Sequence, residues 1–233
     1  NAGGNPDLWI MRADGSEQRQ LISNGRLPAV SRDGRYVAFI SSRTGGNFVW
    51  RMDLDGGNPK QLTSEIVFLL CPLDFSSDGR WIMVAPLNAY AIFKVSVDGS
   101  ETVQLTEGQI YGPQVSPDGK LMACRYRQSL LARYQLAILP FEGGKPIKVF
   151  DVARTARLRM WRWAPDGRAV HYIDTRGGVS NIWSQPVDGG PPKQLTNFKS
   201  DLIFWFDWSR DGKQLVLSRG TVTSDVVLIS ESK

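Results

Sequence analysis

One phrase recurs five times in this chain. It reads "SRDGRYVAF" at 31–39, "SSDGRWIMV" at 76–84, "SPDGKLMAC" at 116–124, "APDGRAVHY" at 164–172 and "SRDGKQLVL" at 209–217. The aspartates are Asp33, Asp78, Asp118, Asp166 and Asp211, spaced 45, 40, 48 and 45 residues apart. A second phrase interleaves with the first: "ADGSEQRQL", "LDGGNPKQL", "VDGSETVQL", "FEGGKPIKV" and "VDGGPPKQL". Its acids are Asp14, Asp55, Asp98, Glu142 and Asp188. A period of this length means that one supersecondary unit is stacked on copies of itself.

Both phrases have the chemistry of hairpin turns. The acid bonds nearby backbone, and the following glycine takes a positive φ that other residues resist. Apolar runs with short-period alternation flank them, such as "YVAFI", "FVWRMDL", "AIFKVSV" and "DVVLIS". These are rich in Val, Ile, Phe and Trp and read as strands. No stretch keeps a helical period for ten residues. Each unit is therefore four strands, and four-stranded units repeated at this spacing are the blades of an all-β propeller. The chain starts on a third strand, "DLWIM", and ends on another, "DVVLIS". That phase predicts five full repeats plus a partial one across residues 1–233. A six-bladed parent ring fits this phase, with a five-bladed ring as the alternative.

Spacing separates the two ends of the blades. From the acid of the second phrase to the following Leu or Val the distance is 7 in all five copies. From that residue to the next SxDG it runs 10, 14, 11, 15 and 14. Strands alternate in direction, so both DG turns share one face and the variable connections share the other. Binding residues usually sit on variable loops held by a rigid scaffold. The variable face is thus the expected functional face.

Two neighbouring insertions on that face are basic. "RYRQSLLARY" (125–134) and "FDVARTARLRMW" (150–161) carry Arg125, Arg127, Arg133, Arg154, Arg157 and Arg159 against the single acid Asp151. Their excess equals the net charge of the whole chain, +5. Tyr126, Tyr134 and Trp161 lie among them, and Trp205 of "LIFWFDWS" is the other aromatic placed near this face. Arginine with aromatics suits carboxylates, phosphates or an acidic protein surface. The alternative is that these arginines pair with acids on other loops or cover apolar surface. Nucleic acid is weakly supported, because the patch is short and stacking aromatics do not recur from unit to unit. The tryptophans of "RMWRWAP" and "LIFWFDWS" have core packing as their other reading.

Several chemistries lack their residues. The single histidine, His171, has no second histidine with which to build a metal site or relay. There is no nucleophile elbow, no phosphate-binding loop and no dinucleotide fingerprint. The five turn aspartates are scaffold rather than paired acid–base carboxylates. No catalytic residue, metal site or cofactor is expected. Cys71 and Cys124 form neither a disulfide framework nor a metal spacing and read as buried small hydrophobes. No apolar run is long enough to span a membrane. The opening "NAGGNPDLWIMRADG" does not read as a signal peptide, and periplasm and cytoplasm both stay open.

The phrases "SPDGKLMA", "VSVDG", "GGPPKQLT" and "SSRTGGNFVWRMDLDGGNPKQLT" resemble the WD-like repeat of TolB-type propellers over nearly the whole chain. The fourth copy departs, with "APDG" and "FEGGKPIKVF". The stretch from "NIWSQPVDGG" to "SDVVLI" is similar to the C-terminal propellers of bacterial serine/threonine kinases and winged-helix regulators. That resemblance implies a non-catalytic sensor or interaction module that binds a protein or peptide, an acidic one fitting the arginines. A periplasmic TolB-type envelope accessory protein and the propeller domain of an oligopeptidase are the alternatives. Fold by itself does not choose among them.

Overall fold

The computed structural model describes residues 6–65, 71–87, 89–209 and 211–222; the side chains of residues 157–159 are outside that description. Twenty strands are formed, and no helix occurs among the described residues. The N-terminal pair is β1 (Leu8–Ile10) and β2 (Arg19–Ile22). The first blade is β3 (Gly25–Val30), β4 (Tyr36–Ser41), β5 (Phe48–Asp53) and β6 (Lys60–Gln61). The second is β7 (Asp74–Phe75), β8 (Trp81–Val84), β9 (Phe93–Ser96) and β10 (Thr102–Gln104). The third is β11 (Ile110–Val115), β12 (Leu121–Tyr126), β13 (Gln135–Pro140) and β14 (Lys148–Phe150). The fourth is β15 (Ala156–Trp163), β16 (Ala169–Arg176), β17 (Val179–Pro186) and β18 (Lys193–Gln194). A C-terminal pair follows, β19 (Leu202–Trp208) and β20 (Leu215–Gly220).

Every sheet is an antiparallel meander in chain order. The expected inner, second and outer strands are all present. The last third strand, expected at 225–230, lies outside the described residues.

Alternation builds the core between blades rather than within them. On β4, Val37 and Phe39 pack toward the N-terminal pair, whereas Ala38 and Ile40 pack toward the second blade. On β12, Met122 and Cys124 face the second blade while Ala123 faces the fourth. On β16, Val170 and Tyr172 face the third blade and Ile173 faces β19. Both faces of each sheet are buried, so second strands read as near-continuous apolar runs. Each large side chain so buried contributes about 1.5–3 kcal/mol. Cys71 and Cys124 are buried free thiols, as expected. Burial and the nearby Cys71 push the Cys124 thiol well above its ordinary range.

The repeated phrases do more than reverse the chain. In the SxDG turns the aspartate accepts from the serine hydroxyl and from a backbone N–H two residues on, as in Ser31 Oγ to Asp33 Oδ1 at 2.6 Å and Arg35 N at 3.0 Å. These bonds hold the carboxyls of Asp33, Asp118 and Asp211 below the ordinary aspartate range. The turns also dock on one another. Gly119 has φ +75°, and a Cβ there would collide with Ser77 of the preceding SxDG turn. Gly143 has φ +93°, and a Cβ there would collide with the carbonyl of Leu105, which accepts from Gly144 N at 3.0 Å. Leu21 and Leu62 lie likewise beneath Gly56 and Gly99. These leucines end the fixed seven-residue spacing, which places each beneath the next blade's turn.

Candidate functional site

On the DG face one side chain bridges two blades. Arg32, next to the first turn aspartate, reaches across to the third blade and donates to the carbonyls of Pro117, Ser116 and Val115. Around the same axis stands one residue per repeat, each four positions before its turn aspartate: Ala29, Asp74, Gln114, Arg162 and Asp207. Asp74 Oδ2 accepts from Val115 N at 2.7 Å, tying the second blade to the third. Arg162 pairs with Asp207 at 3.0 Å, reaches Gln114 Oε1 at 3.3 Å and stacks under Trp205 at 5.0 Å. Asp74 is half-buried. Burial raises its pKa to about 6 against the pull of the Val115 N–H and of Arg162. Sequence reasoning missed this ring, although its constant offset from the turn aspartate was a usable signal.

The variable face carries the arginines. Residues 127–134 connect β12 to β13, and residues 151–155 connect β14 to β15. Arg125, Arg133, Tyr134 and Arg154 line one cleft of about 820 Å³ between the third and fourth blades, with Leu131, Val152, Ala156 and Met160. Arg125 lies over the Tyr134 ring at 3.3 Å and Arg127 over the same ring at 4.7 Å. Tyr111 meets the edge of Tyr134 at 5.9 Å, and Tyr90 meets Tyr111 at 6.2 Å. Burial and Tyr134 push the Tyr111 phenol up to about 12, so it stays neutral. Arg127 is fixed by Gln109 Oε1 at 2.8 Å and by the Leu130 carbonyl at 2.9 Å. Arg133 pairs with Asp151 at 2.6 Å. Arg154 is exposed and makes no ion pair among the described residues.

Opposite Ala156 on the neighbouring strand lies a buried acid. The Asp174 side chain is 0% exposed; one oxygen accepts from Arg176 Nε at 2.8 Å, and the other has no hydrogen-bond partner among the described residues. Asp174 pairs in register with Ala156, which lines the cleft, so both point to the same side of the sheet.

The remaining expected site residues divide. Trp161 is a correction: it is 2% exposed, donates to the Ala123 carbonyl at 3.2 Å and belongs to the core between third and fourth blades. Alternation at the end of a bulged inner strand turns it inward. Tyr126 is separated from the cluster, because its side of β12 packs toward the second blade. Arg157 and Arg159 belong to strand β15 rather than to a loop, since the strand runs eight residues, and their side chains lie outside the described residues. Trp205 is 38% exposed and belongs to the axial cluster on Arg162, not to the arginine cleft. His171 is buried and accepts from Trp208 Nε1 at 3.1 Å, which engages the ring as a neutral acceptor.

Comparison with known proteins agrees on fold. No family model matches the chain. The structure superposes on the putative TolB of Agrobacterium tumefaciens with a TM-score of 0.72 at 17% identity, covering 94% of this chain and 84% of that one. For TolB from Acinetobacter baumannii the TM-score is 0.70 at 18% identity, over 92% of this chain and 59% of that one. The chain is a TolB-like β-propeller in fold. Among curated relatives, tricorn protease homolog 1 of Streptomyces coelicolor is 32% identical over 102 residues, 44% of this chain and 9% of that protein. Dipeptidyl-peptidase 5 of Porphyromonas endodontalis is 31% identical over 135 residues, 55% of this chain and 18% of that protein. The chain thus spans less than a fifth of the length of either peptidase relative.

Proposed function

We propose that this chain is a non-catalytic protein- or peptide-binding propeller that engages its partner through the variable face, as the sensor or interaction module of a larger bacterial signalling protein. One observation carries the reading. The DG face is occupied by turn-to-turn docking and by Arg32 bridging to the third blade, while the opposite face holds a cleft rimmed by arginine and tyrosine. Exposed arginine beside rigid tyrosine is the composition of binding hot spots.

A second reading is the propeller domain of an oligopeptidase. The two peptidase relatives favour it, and in that case hydrolysis would belong to another part of the polypeptide. The TolB-type envelope role stands beside it on the fold likeness.

The test is affinity capture from native bacterial lysate on three immobilised baits: the unmodified chain, Arg133→Glu/Arg154→Glu on the variable face, and Lys120→Glu/Lys213→Glu on the DG face. A partner held by the first and third baits and lost by the second supports the reading. A partner lost only by the DG-face variant overturns it. Hydrolysis of generic peptide substrates by the purified chain, lost on a point substitution, would sink the non-catalytic assignment.

A further inference from the structure

The connection from β12 to β13 contains a turn of unusual composition. Ala132 N donates to the Ser129 carbonyl at 3.1 Å, so Leu130 and Leu131 are the two central residues of that turn. Turn centres ordinarily hold Gly, Pro, Asn, Asp or Ser, which suit both the backbone and the surrounding water. Here Leu131 is 100% exposed and Leu130 63% exposed. The turn is pinned at its base, because Arg127 Nη1 donates to the Leu130 carbonyl at 2.9 Å and Arg127 Nη2 to Gln109 Oε1 at 2.8 Å. Two hydrocarbon side chains are thus fixed side by side at a projecting tip, and Leu131 gains no burial from the fold. Only an apolar medium outside the chain removes that exposure to water.

The surroundings of the tip are basic. Residues 125–134 and 150–161 carry six arginines against the single acid Asp151. That acid pairs with Arg133 at 2.6 Å, with side chains 64% and 50% exposed. So exposed a pair is weak, and another anion exchanges into it readily. Arg154 is exposed on the neighbouring connection. Tyrosine stands on the same face. Tyr90, on the β8–β9 connection, is 43% exposed and meets Tyr111, which meets Tyr134. A ring with a polar tip suits the boundary between hydrocarbon and headgroups.

Shape chooses the occupant. A peptide laid in the cleft touches its lip from one side only, whereas a projecting leucine is covered all round by a fluid that closes about it. Hydrocarbon at the tip with guanidinium groups around its base is the order of an anionic bilayer read inward, acyl chains below phosphates. Guanidinium also pairs with phosphate in two-pronged fashion.

We infer that the variable face docks on an anionic lipid surface. Leu130 and Leu131 enter the acyl boundary, and the arginines of the two connections meet the lipid phosphates. Such docking is peripheral and needs no spanning segment. The inference goes beyond the protein-binding reading and does not depend on it.

The test is co-sedimentation of the purified chain with vesicles of phosphatidylcholine alone and of equimolar phosphatidylcholine and phosphatidylglycerol. Partition onto the anionic vesicles is expected to exceed partition onto the neutral ones at least about tenfold. Leu130→Ser/Leu131→Ser and Arg133→Glu/Arg154→Glu are each expected to remove most of it. A polarity-sensitive dye on Leu131→Cys keeps the outcome independent of folding, since the native thiols are buried. Its emission should shift to the blue with anionic vesicles, while the same dye on Lys120→Cys of the DG face should not respond. Equal partition onto both vesicles, no partition, an unaffected leucine variant or equal dye responses overturns the inference. So does a chain that ignores vesicles but loses a captured protein partner on Leu130→Ser/Leu131→Ser. That result would give the leucines to a protein and leave the protein-binding reading standing, which separates the two failures.

Discussion

Asp74, half-buried on the second blade, and His171, buried on the fourth, are titratable groups that respond to pH in opposite senses. Burial lifts Asp74 from its ordinary 3.8 to about 6, so between those values the folded protein holds a proton that the unfolded chain has released. Its contribution to stability therefore falls as pH rises through that window. Burial lowers His171 from 6.5 to about 4, so there the unfolded chain binds the extra proton, and this contribution rises with pH. The windows overlap, and the two effects oppose. The melting temperature of the unmodified chain is expected to vary little between about pH 4 and 6. Asp74→Asn should leave a melting temperature that drops on acidification, and His171→Gln one that rises. Equal slopes in all three proteins would show that neither group is set by burial. Below this window the turn aspartates dominate. Their carboxyls are held low by hydrogen bonds, and that stability disappears as pH falls through their folded-state values. Of these residues the sequence displayed only the turn aspartates, because a turn is a local object. His171 was legible as a strand residue without a catalytic partner. Asp74 was not singled out, because its environment comes from Val115, Arg162 and Arg32, which lie far along the chain.

At the scale of the element, the DG hairpin is a docking device as well as a turn. Gly143 and Gly144 are adjacent and both have positive φ, yet only a Cβ on Gly143 would meet the Leu105 carbonyl, and nothing lies within 4 Å of the corresponding position on Gly144. Gly144→Ala is expected to cost about 1–2 kcal/mol, the strain of a left-handed conformation at one residue. Gly143→Ala adds displacement of the neighbouring blade's backbone and should cost distinctly more. Urea unfolding measures both, and equal losses would mean that the turn does not bear on Leu105. The comparison bears on legibility. The phrase and its constant seven-residue spacing to Leu were visible in the chain, and so was the hairpin. That the same Leu is the seat of the following blade's turn was not visible, because nothing local records which residue a neighbour rests on. The basic connection shows the opposite error. The sequence reading ran the connection on to residue 161, but pairing with β16 draws 156–163 into an eight-residue strand.

For the whole molecule, the division of faces follows from strand direction and was the most secure functional inference from spacing. Charge sharpens it. The two connections on the variable face carry six arginines against one acid, so partner binding there should weaken as salt is raised, with the steepest change between about 50 and 300 mM, where screening lengths fall below the width of a charged patch. Capture that is indifferent to salt would rule the arginines out as the contact, and Arg133→Glu/Arg154→Glu should flatten whatever salt dependence exists.

Repetition by itself determined the blade, its two turns, the all-β class and the face on which variation collects. Each of these depends on residues close in sequence, and five copies removed the ambiguity that one would leave. The tertiary structure alone decided which aromatic faces a core and which a cleft, which arginine is already paired, and what stands at the axis. Trp161 and Tyr134 are both aromatics of the basic region, yet one is sealed against Ala123 and the other lies beneath two guanidinium groups. That difference comes from the packing of one blade against the next, and no local pattern in the chain encodes it.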